Sequence, residues 1–359
     1  MDILRAMSIL FVVIGHTTHF LPQKYYVQDI SRFITFDGVS YFFVLSGFLI
    51  GGILIKALEN KPATFRTLLN FWTRRWFRTL PNYYFVLILL LLVLPYSFFN
   101  PNTVVNKPNY FLFIQSFSFP HPDFFPEAWS LCIEEWFYLL VPSLIFLLVG
   151  VFRVKPKKSI LTVAISVIIV VSLFRYYRFL NNPITSYNEW EMYFRKQVVT
   201  RLDSLMFGVV GAYFSFYYRT SWARNKKILL VIGVSILLIQ RYFYLLVGDY
   251  GYGFYTCVIS FSITSFGAFL LLPFLSEYKK GNGLIFKVIT SISLISYSMY
   301  LLNLSPVQGF AVRGITKGLS GISLIFVNYI GTWAFTIFGS IVLYKYFEKP
   351  VMNMRERIK

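Results

Sequence analysis

The sequence predicts an all-α protein that crosses a membrane many times, and three observations lead to this fold class. The chain has 359 residues, of which 57% are apolar and only 14% are charged. A soluble domain has about 25% charged residues, so this chain has too few charges to cover the surface of a soluble protein. Apolar stretches of about 20 residues, long enough to cross the bilayer as helices, recur throughout. A water-soluble enzyme is therefore excluded.

We predict about ten membrane-spanning helices from apolar runs of about 15 to 25 residues. A shorter run, at 110–119, is too short to cross as a helix and is predicted to lie at the interface or to re-enter the membrane. The predicted spans are 3–20, 39–55, 83–99, 131–152, 160–180, 198–218, 228–247, 254–275, 288–304 and 322–346.

The net charge of +19 indicates topology rather than a nucleic-acid partner. If the N-terminus is cytoplasmic, the inside segments hold 23 of the 34 basic residues and the outside segments hold 9. Since basic residues collect in cytoplasmic loops, the sequence predicts that both termini are cytoplasmic. No linker or soluble tail interrupts the pattern, so we expect residues 1–359 to form a single transmembrane domain without an appended soluble module.

Arg5, His16 and His19 fall in the first predicted span, where an ionisable residue costs at least about 2.5 to 3.5 kcal/mol on insertion scales. Arg5 and His16 are eleven residues apart, so they share a helix face and lie about 16 Å apart along the axis. Both could be structural, with Arg5 anchoring the span at the inner interface and His16 bonded to a neighbouring helix. His19 and His121 do not complete a convincing metal site, and we predict no metal.

A basic cluster precedes the third predicted span, in the string RRWFRTLP. Arg74, Arg75 and Arg78 are expected on the cytoplasmic side, beside aromatic residues that suit the membrane interface. Membrane anchoring alone would explain them. Guanidinium groups also bind phosphate well, so the cluster is a candidate site for an anionic cofactor, and both roles are compatible.

Acidic and basic residues also occur near the outer starts of the fourth and sixth predicted spans. Glu134 and Glu135 point about 100° apart on a helix, so one can face the bundle while the other does not. Arg201 and Asp203 are about 200° apart, which excludes a local ion pair and predicts partners on different helices. A buried structural network is one interpretation; such networks also orient catalytic groups.

Small residues in the middle of the second predicted span, Ser46 and Gly47, are expected to permit close helix packing. No nucleophile-elbow pattern surrounds Ser46, so we assign it to a polar network rather than to nucleophilic catalysis.

Seven strings in order resemble the integral-membrane acyltransferase family 3, the O-acyltransferases of surface polysaccharides. One departure is Asn303, which stands where members of that family usually have a histidine, so hydrogen bonding is the role that remains for it. The strings are RAMSILFVVIGH (5–16), FFVLSGFLI (42–50), RRWFRTLP (74–81), WSLCIEEWFYLLVP (129–142), RLDSLMFG (201–208), SYSMYLLN (296–303) and FEKP (347–350).

The resemblance implies a multi-pass enzyme of the cytoplasmic, or inner, membrane that moves an acyl group from acetyl-CoA or another acyl-CoA to a glycan hydroxyl. The acceptor would be a glycan or a lipid-linked glycan, such as lipopolysaccharide O-antigen or another polysaccharide. The resemblance matches functional positions of the family to Arg5, His16, Arg74, Arg75, Arg78 and Glu134. Together with the other polar residues of the predicted spans, they give three groups of candidate residues. They are His16, Glu134 and Asp203 for catalysis, Arg5, Arg74, Arg75 and Arg78 for the acyl donor, and Ser46, Glu135, Arg201, Tyr300 and Asn303 for a substrate-binding or structural polar network.

The mechanism that we expect places the CoA phosphates at the basic cluster and the thioester near His16. His16 could be the general base on the acceptor hydroxyl or a transient carrier of the acyl group, and the sequence does not separate these routes. The alternative function is a transporter or flippase whose intramembrane charges bind an anionic substrate or relay protons. A structural scaffold is a third interpretation. The sequence does not indicate the oligomeric state.

Overall fold

A computed structural model describes residues 1–23, 26–93, 107–247, 252–278, 281 and 283–354. The chain is 84% helical, and the described residues include no strand. We label the long helices α1 to α10 in chain order. They are α1 (Asp2–Thr17), α2 (Gly38–Asn60), α3 (Phe65–Ile88), α4 (Ala128–Gly150), α5 (Pro156–Asn181), α6 (Val198–Tyr217), α7 (Lys226–Val247), α8 (Ser260–Glu277), α9 (Leu284–Leu302) and α10 (Gly321–Leu343).

Seven helical segments in the described part of the chain are long and apolar enough to cross a membrane. These segments contain α1, α2, α4, α5, α8, α9 and α10. The chain is thus a multi-pass membrane protein, as predicted, whereas the count of ten spans and the cytoplasmic position of both termini stay predictions. Part of the predicted third span, residues 94–99, lies outside the described residues.

Helix α3 begins at Phe65, well before residue 83, where the third span was predicted to start. The side chain of Thr64 caps this helix by accepting a hydrogen bond from the amide of Thr67 at 3.3 Å. The first half of α3 is polar and basic, and hydropathy detects only the apolar second half. The Arg74, Arg75 and Arg78 cluster therefore lies within a helix instead of a loop.

Helices α2 and α6 touch through their backbones. A Cβ atom on Gly47 would lie 1.9 Å from the carbonyl oxygen of Leu205, and one on Gly208 would lie 2.0 Å from that of Val44. Neither position therefore has room for a side chain, which fits the expected packing role of the small residues in α2. Helix α1 packs against α2 and α9, and its Arg5 and His16 side chains contact Ser293 of α9 and Asn303 just after α9.

The helix that begins as α9 widens at its end. Residues Asn303–Val312 form a π-helical segment with Pro306 inside it, in place of the regular α-helical pattern. Such a segment changes which side chains face the neighbouring helix, and π-helical turns are frequent at functional sites. Here it directs Asn303 towards the end of α1.

Candidate functional site

Between the helices of the described part of the chain lie two cavities that residues of α1 line, one beside Arg5 and the other beside His16. The basic cavity, of about 120 Å³, is lined by Arg5, and the histidine cavity, of about 360 Å³, is lined by His16. Val39, near the start of α2, lines both. Val39 is buried, with 7% of the residue exposed, and it is the one residue that the two linings share.

Three guanidinium groups line the basic cavity, and they come from two helices. Arg5 belongs to α1, while Arg75 and Arg78 are one turn apart on α3. Arg74 is exposed and does not line this cavity, although the sequence grouped all three arginines of α3 in one basic cluster. The structure thus divides the predicted basic cluster into two residues at the cavity and one outside it.

Arg5 is held in place by hydrogen bonds near the start of α1. Its Nη1 lies 3.2 Å from Oγ of Ser293 and 3.5 Å from Oδ1 of Asp2. The Ser293 hydroxyl in turn donates to the same carboxylate oxygen at 3.0 Å. Arg5 is therefore fixed by α1 and α9 together instead of reaching freely into the interface.

Carboxylates and hydroxyl groups form the rest of the polar wall of the basic cavity. Glu134 accepts a hydrogen bond from the hydroxyl of Tyr138 at 3.3 Å, and that hydroxyl lies 2.9 Å from Oγ of Ser46. Glu134 therefore lines the cavity of Arg5 and not that of His16. Glu135 points elsewhere on α4 and accepts a hydrogen bond from Thr79 at 2.7 Å. The two adjacent acids thus have different partners, as their helical spacing predicted.

His16 contacts Asn303 across the interface of α1 with the end of α9. Nδ1 of His16 lies 2.5 Å from Oδ1 of Asn303. The Asn303 amide nitrogen donates to the carbonyl oxygens of Met299 at 3.0 Å and Tyr300 at 2.8 Å. Tyr300, one turn before Asn303, lines the basic cavity. The His16 imidazole therefore lines the histidine cavity, while its partner Asn303 lies one helical turn from Tyr300, which lines the basic cavity.

Charged residues that the sequence did not single out line the histidine cavity. Arg195 lies 2.6 Å from Glu191 and 3.7 Å from Asp37, and Lys196 lies 2.8 Å from Glu191. Trp190 supplies an aromatic wall. Two acids and two bases stand within eight residues, from Glu189 to Lys196, in a short polar segment, and this density could have indicated a site. Hydropathy did not indicate the segment, because it is polar and lies between two predicted spans.

Asp203 and Arg201 lie in a buried network beside the cavities. Asp203 accepts a hydrogen bond from Arg175 of α5 at 2.8 Å, and Arg201 donates to Ser40 of α2 at 2.6 Å. All three of the charged side chains are fully buried. Asp203 lines neither of the two cavities, so the structure does not bring this candidate catalytic residue to His16.

Glu127, directly before α4, is a buried acid that the sequence analysis did not single out. Its carboxylate accepts hydrogen bonds from the backbone amide of Ser305 at 3.1 Å and from its hydroxyl at 2.7 Å. Burial raises the pKa of Glu127 to about 7, although both bonds from Ser305 favour the ionised form. The hydroxyl of Tyr300 also donates to the Glu127 carbonyl at 3.0 Å. Glu127 thus ties the start of α4 to the segment that carries Asn303.

A comparison with known protein families identifies the family to which this chain belongs. A model described as "Acyltransferase domain" matches residues 1–345. The chain belongs to this family. The match covers nearly the whole chain, and it confirms the resemblance that the seven sequence strings indicated.

The curated relatives are O-acetyltransferases by name. The chain is 28% identical to O-acetyltransferase OatA of Staphylococcus aureus strain NCTC 8325 / PS 47 over 98% of its own length and 56% of that protein. It is 32% identical to peptidoglycan O-acetyltransferase OatA of Listeria monocytogenes over 46% of this chain and 26% of the relative. This acyltransferase thus spans about half the length of the first of these relatives. Comparison with solved structures gave no significant match.

Proposed function

We propose that the chain is a membrane O-acetyltransferase that takes an acetyl group from acetyl-CoA and transfers it to a hydroxyl of a cell-surface glycan in the cytoplasmic membrane. The observation that carries this proposal is the pair of cavities beside α1 that share Val39 in their walls, one lined by arginines and one by His16. The names of the relatives support peptidoglycan as the acceptor, and they give no support to lipopolysaccharide.

The basic cavity suits the acyl donor. Arg5, Arg75 and Arg78 provide three guanidinium groups, which bind phosphate oxygens and polarise carbonyl oxygens through charge-assisted hydrogen bonds. Ser46 and Glu134 add a hydroxyl and a carboxylate to the same lining, and the thioester end of the donor would lie among these groups. The nucleotide of CoA would lie towards the exposed Arg74. No metal is needed in this scheme.

The histidine cavity suits the acceptor. Its lining contains Asp37, Glu191, Arg195 and Arg241, so acids and bases occur in equal number, and Arg195 pairs with both acids. A cavity with balanced charges and several polar groups can bind the hydroxyl groups of a glycan without selecting an ion. Trp190 adds an apolar face of the kind that packs against the carbon side of a sugar ring.

His16 would carry out the transfer where the cavities meet. As a base, its imidazole takes the proton of the acceptor hydroxyl while the oxygen attacks the thioester carbonyl; the carbon–sulfur bond then breaks and the CoA thiolate receives the proton. As a carrier, the imidazole would first accept the acetyl group itself. In both routes Arg5 and Glu134 belong to the donor cavity, and Asp203 acts through the buried network instead of at the reacting atoms.

Transfer of radiolabelled acetyl from acetyl-CoA tests the proposal. Purified protein in liposomes is given labelled acetyl-CoA and soluble peptidoglycan fragments, and His16→Gln protein serves as the control. Alkali-labile label on the glycan that depends on His16 supports the acetyltransferase. Movement of unmodified glycan across the bilayer without labelling would instead support the transporter alternative.

A further inference from the structure

We propose that Asn303 is a positioning residue that holds His16 in the tautomer with its proton on Nδ1, which leaves the lone pair of Nε2 as the base. This inference rests on the base role of His16 proposed above. It assigns a task to a position at which the chain departs from the family pattern, and it follows from the hydrogen-bond chemistry of the Asn303 and His16 side chains.

The first step is the orientation of the Asn303 amide. Its Nδ2 lies 3.0 Å from the carbonyl oxygen of Met299 and 2.8 Å from that of Tyr300. A carbonyl oxygen only accepts hydrogen bonds, so the group that faces both carbonyls must be the amide NH₂. The amide oxygen, Oδ1, is thereby directed to His16.

The second step is the proton on the imidazole. Oδ1 of Asn303 lies 2.5 Å from Nδ1 of His16, and an amide oxygen carries no hydrogen. This contact is a hydrogen bond only if Nδ1 is the donor. In a neutral imidazole one nitrogen carries the hydrogen and the other has the lone pair, so Nε2 is left free to accept a proton. The two nitrogens lie on opposite edges of the ring, and Nε2 is on the edge away from Asn303.

The third step is the rigidity of this arrangement. Asn303 is fully buried and is the first residue of the π-helical segment, where its side chain uses two backbone carbonyls of the preceding turn. The same segment also contacts the backbone of His16, because Nε2 of Gln308 donates to its carbonyl oxygen at 3.2 Å. Imidazole and amide are thus held by one element. If position 303 had a side chain without a hydrogen-bond acceptor, the His16 imidazole would stay in place but could adopt either tautomer.

Nitrogen NMR reads the tautomer directly. The chain has only three histidines, so ¹⁵N-imidazole labelling gives few signals, and the signal lost in His16→Gln identifies His16. In the full-length protein at a pH where His16 is neutral, we expect Nδ1 to carry the hydrogen and Nε2 to be unprotonated. A His16 signal with the hydrogen on Nε2 in the unmodified chain would overturn the proposal without any variant.

Two variants connect the tautomer to the reaction. Asn303→Leu keeps the approximate size but removes the acceptor, so we expect the Nε2–H tautomer to appear and kcat to fall at least about tenfold, with KM for acetyl-CoA nearly unchanged. Asn303→Asp keeps an acceptor oxygen and should retain the Nδ1–H tautomer and more of kcat than Asn303→Leu. An unchanged tautomer or kcat in Asn303→Leu overturns the inference, whereas absence of acetyl transfer by the unmodified protein defeats the proposed function.

Discussion

His16 stands at the last turn of α1, where its ring both lines the histidine cavity and contacts Asn303. We predict that His16→Gln and His16→Asn each lower glycan acetylation at least about 100-fold, because an amide neither takes up a proton near neutral pH nor carries an acetyl group. Initial rates at matched protein amounts measure this. His19→Gln, just beyond the end of α1, is the control and should lose far less. If His16→Gln retains more than about a third of the activity, the role assigned to His16 is wrong.

The size of Val39 should set the length of the acyl group, because this residue lines both cavities. We predict that Val39→Ala raises the rate with propionyl-CoA relative to acetyl-CoA about tenfold, which is the discrimination that one methylene commonly produces. The ratio of the two rates does not depend on how much of the variant folds. Val12→Ala is the matched control, since Val12 lines the histidine cavity and not the basic one. An unchanged ratio in Val39→Ala would mean that the acyl group does not pass this residue.

At the scale of one element, α3 presents its arginines in two directions. Arg75 and Arg78 line the basic cavity, whereas Arg74 does not. We predict that Arg75→Gln with Arg78→Gln weakens binding of acetyl-CoA about 10- to 100-fold, since each loses a charge-assisted hydrogen bond. Equilibrium binding to purified protein measures the effect. Arg74→Gln should bind nearly normally, and equal affinity in all three proteins would return the cluster to the membrane-anchoring interpretation.

The stability of the contact between the start of α4 and the π-helical segment should depend on pH through Glu127. Its pKa is about 7 in the folded protein, against an ordinary value of 4.5, so folding favours the protonated form. This contribution to stability is complete below pH 4.5 and is lost as pH rises through 7, by on the order of 3 kcal/mol in all. We expect Glu127→Gln to lack this loss. The fall in Tm from pH 5 to pH 8, measured in detergent, should therefore be larger for the unmodified chain than for Glu127→Gln. Equal falls in the two proteins would contradict the prediction.

Sequence patterns predicted the elements better than their junctions. Apolar runs located helices such as α4 and α5 to within a few residues, because bilayer thickness imposes a minimum length on each. The polar first half of α3 was not predicted, because the helix also includes residues whose hydropathy is low. Arg5, His16 and Glu134 stood out as charges in apolar runs, but only the fold shows that Glu134 shares a cavity with Arg5. Glu127 and Glu191 were not singled out because both lie between spans, where a single acid is common; only the density of charges around Glu191 could have indicated a site.

For the whole molecule, orientation in the bilayer is the property that would separate donor and acceptor. The asymmetry of basic residues predicts that the segment with Lys226 faces the cytoplasm and the segment with Asn188 faces out. Single-cysteine variants at these two positions, in a background without Cys132 and Cys257, can be labelled in intact cells with an impermeant maleimide. We expect Asn188→Cys to react and Lys226→Cys to react only after lysis. The reverse pattern would invert the predicted topology.

The meeting of two separate cavities at Val39 also bears on the electrical integrity of the bilayer. Each elementary charge that leaks across a potential of 100 mV dissipates about 2.3 kcal/mol, and a continuous aqueous passage would let ions do so. Under the proposed function, the buried valine in the walls of both cavities would let a two-carbon fragment pass from donor to acceptor while the donor nucleotide and the glycan stay on their own sides. The enzyme would then modify a glycan on the far side at the expense of a thioester, without conducting ions and without drawing on the ion gradient.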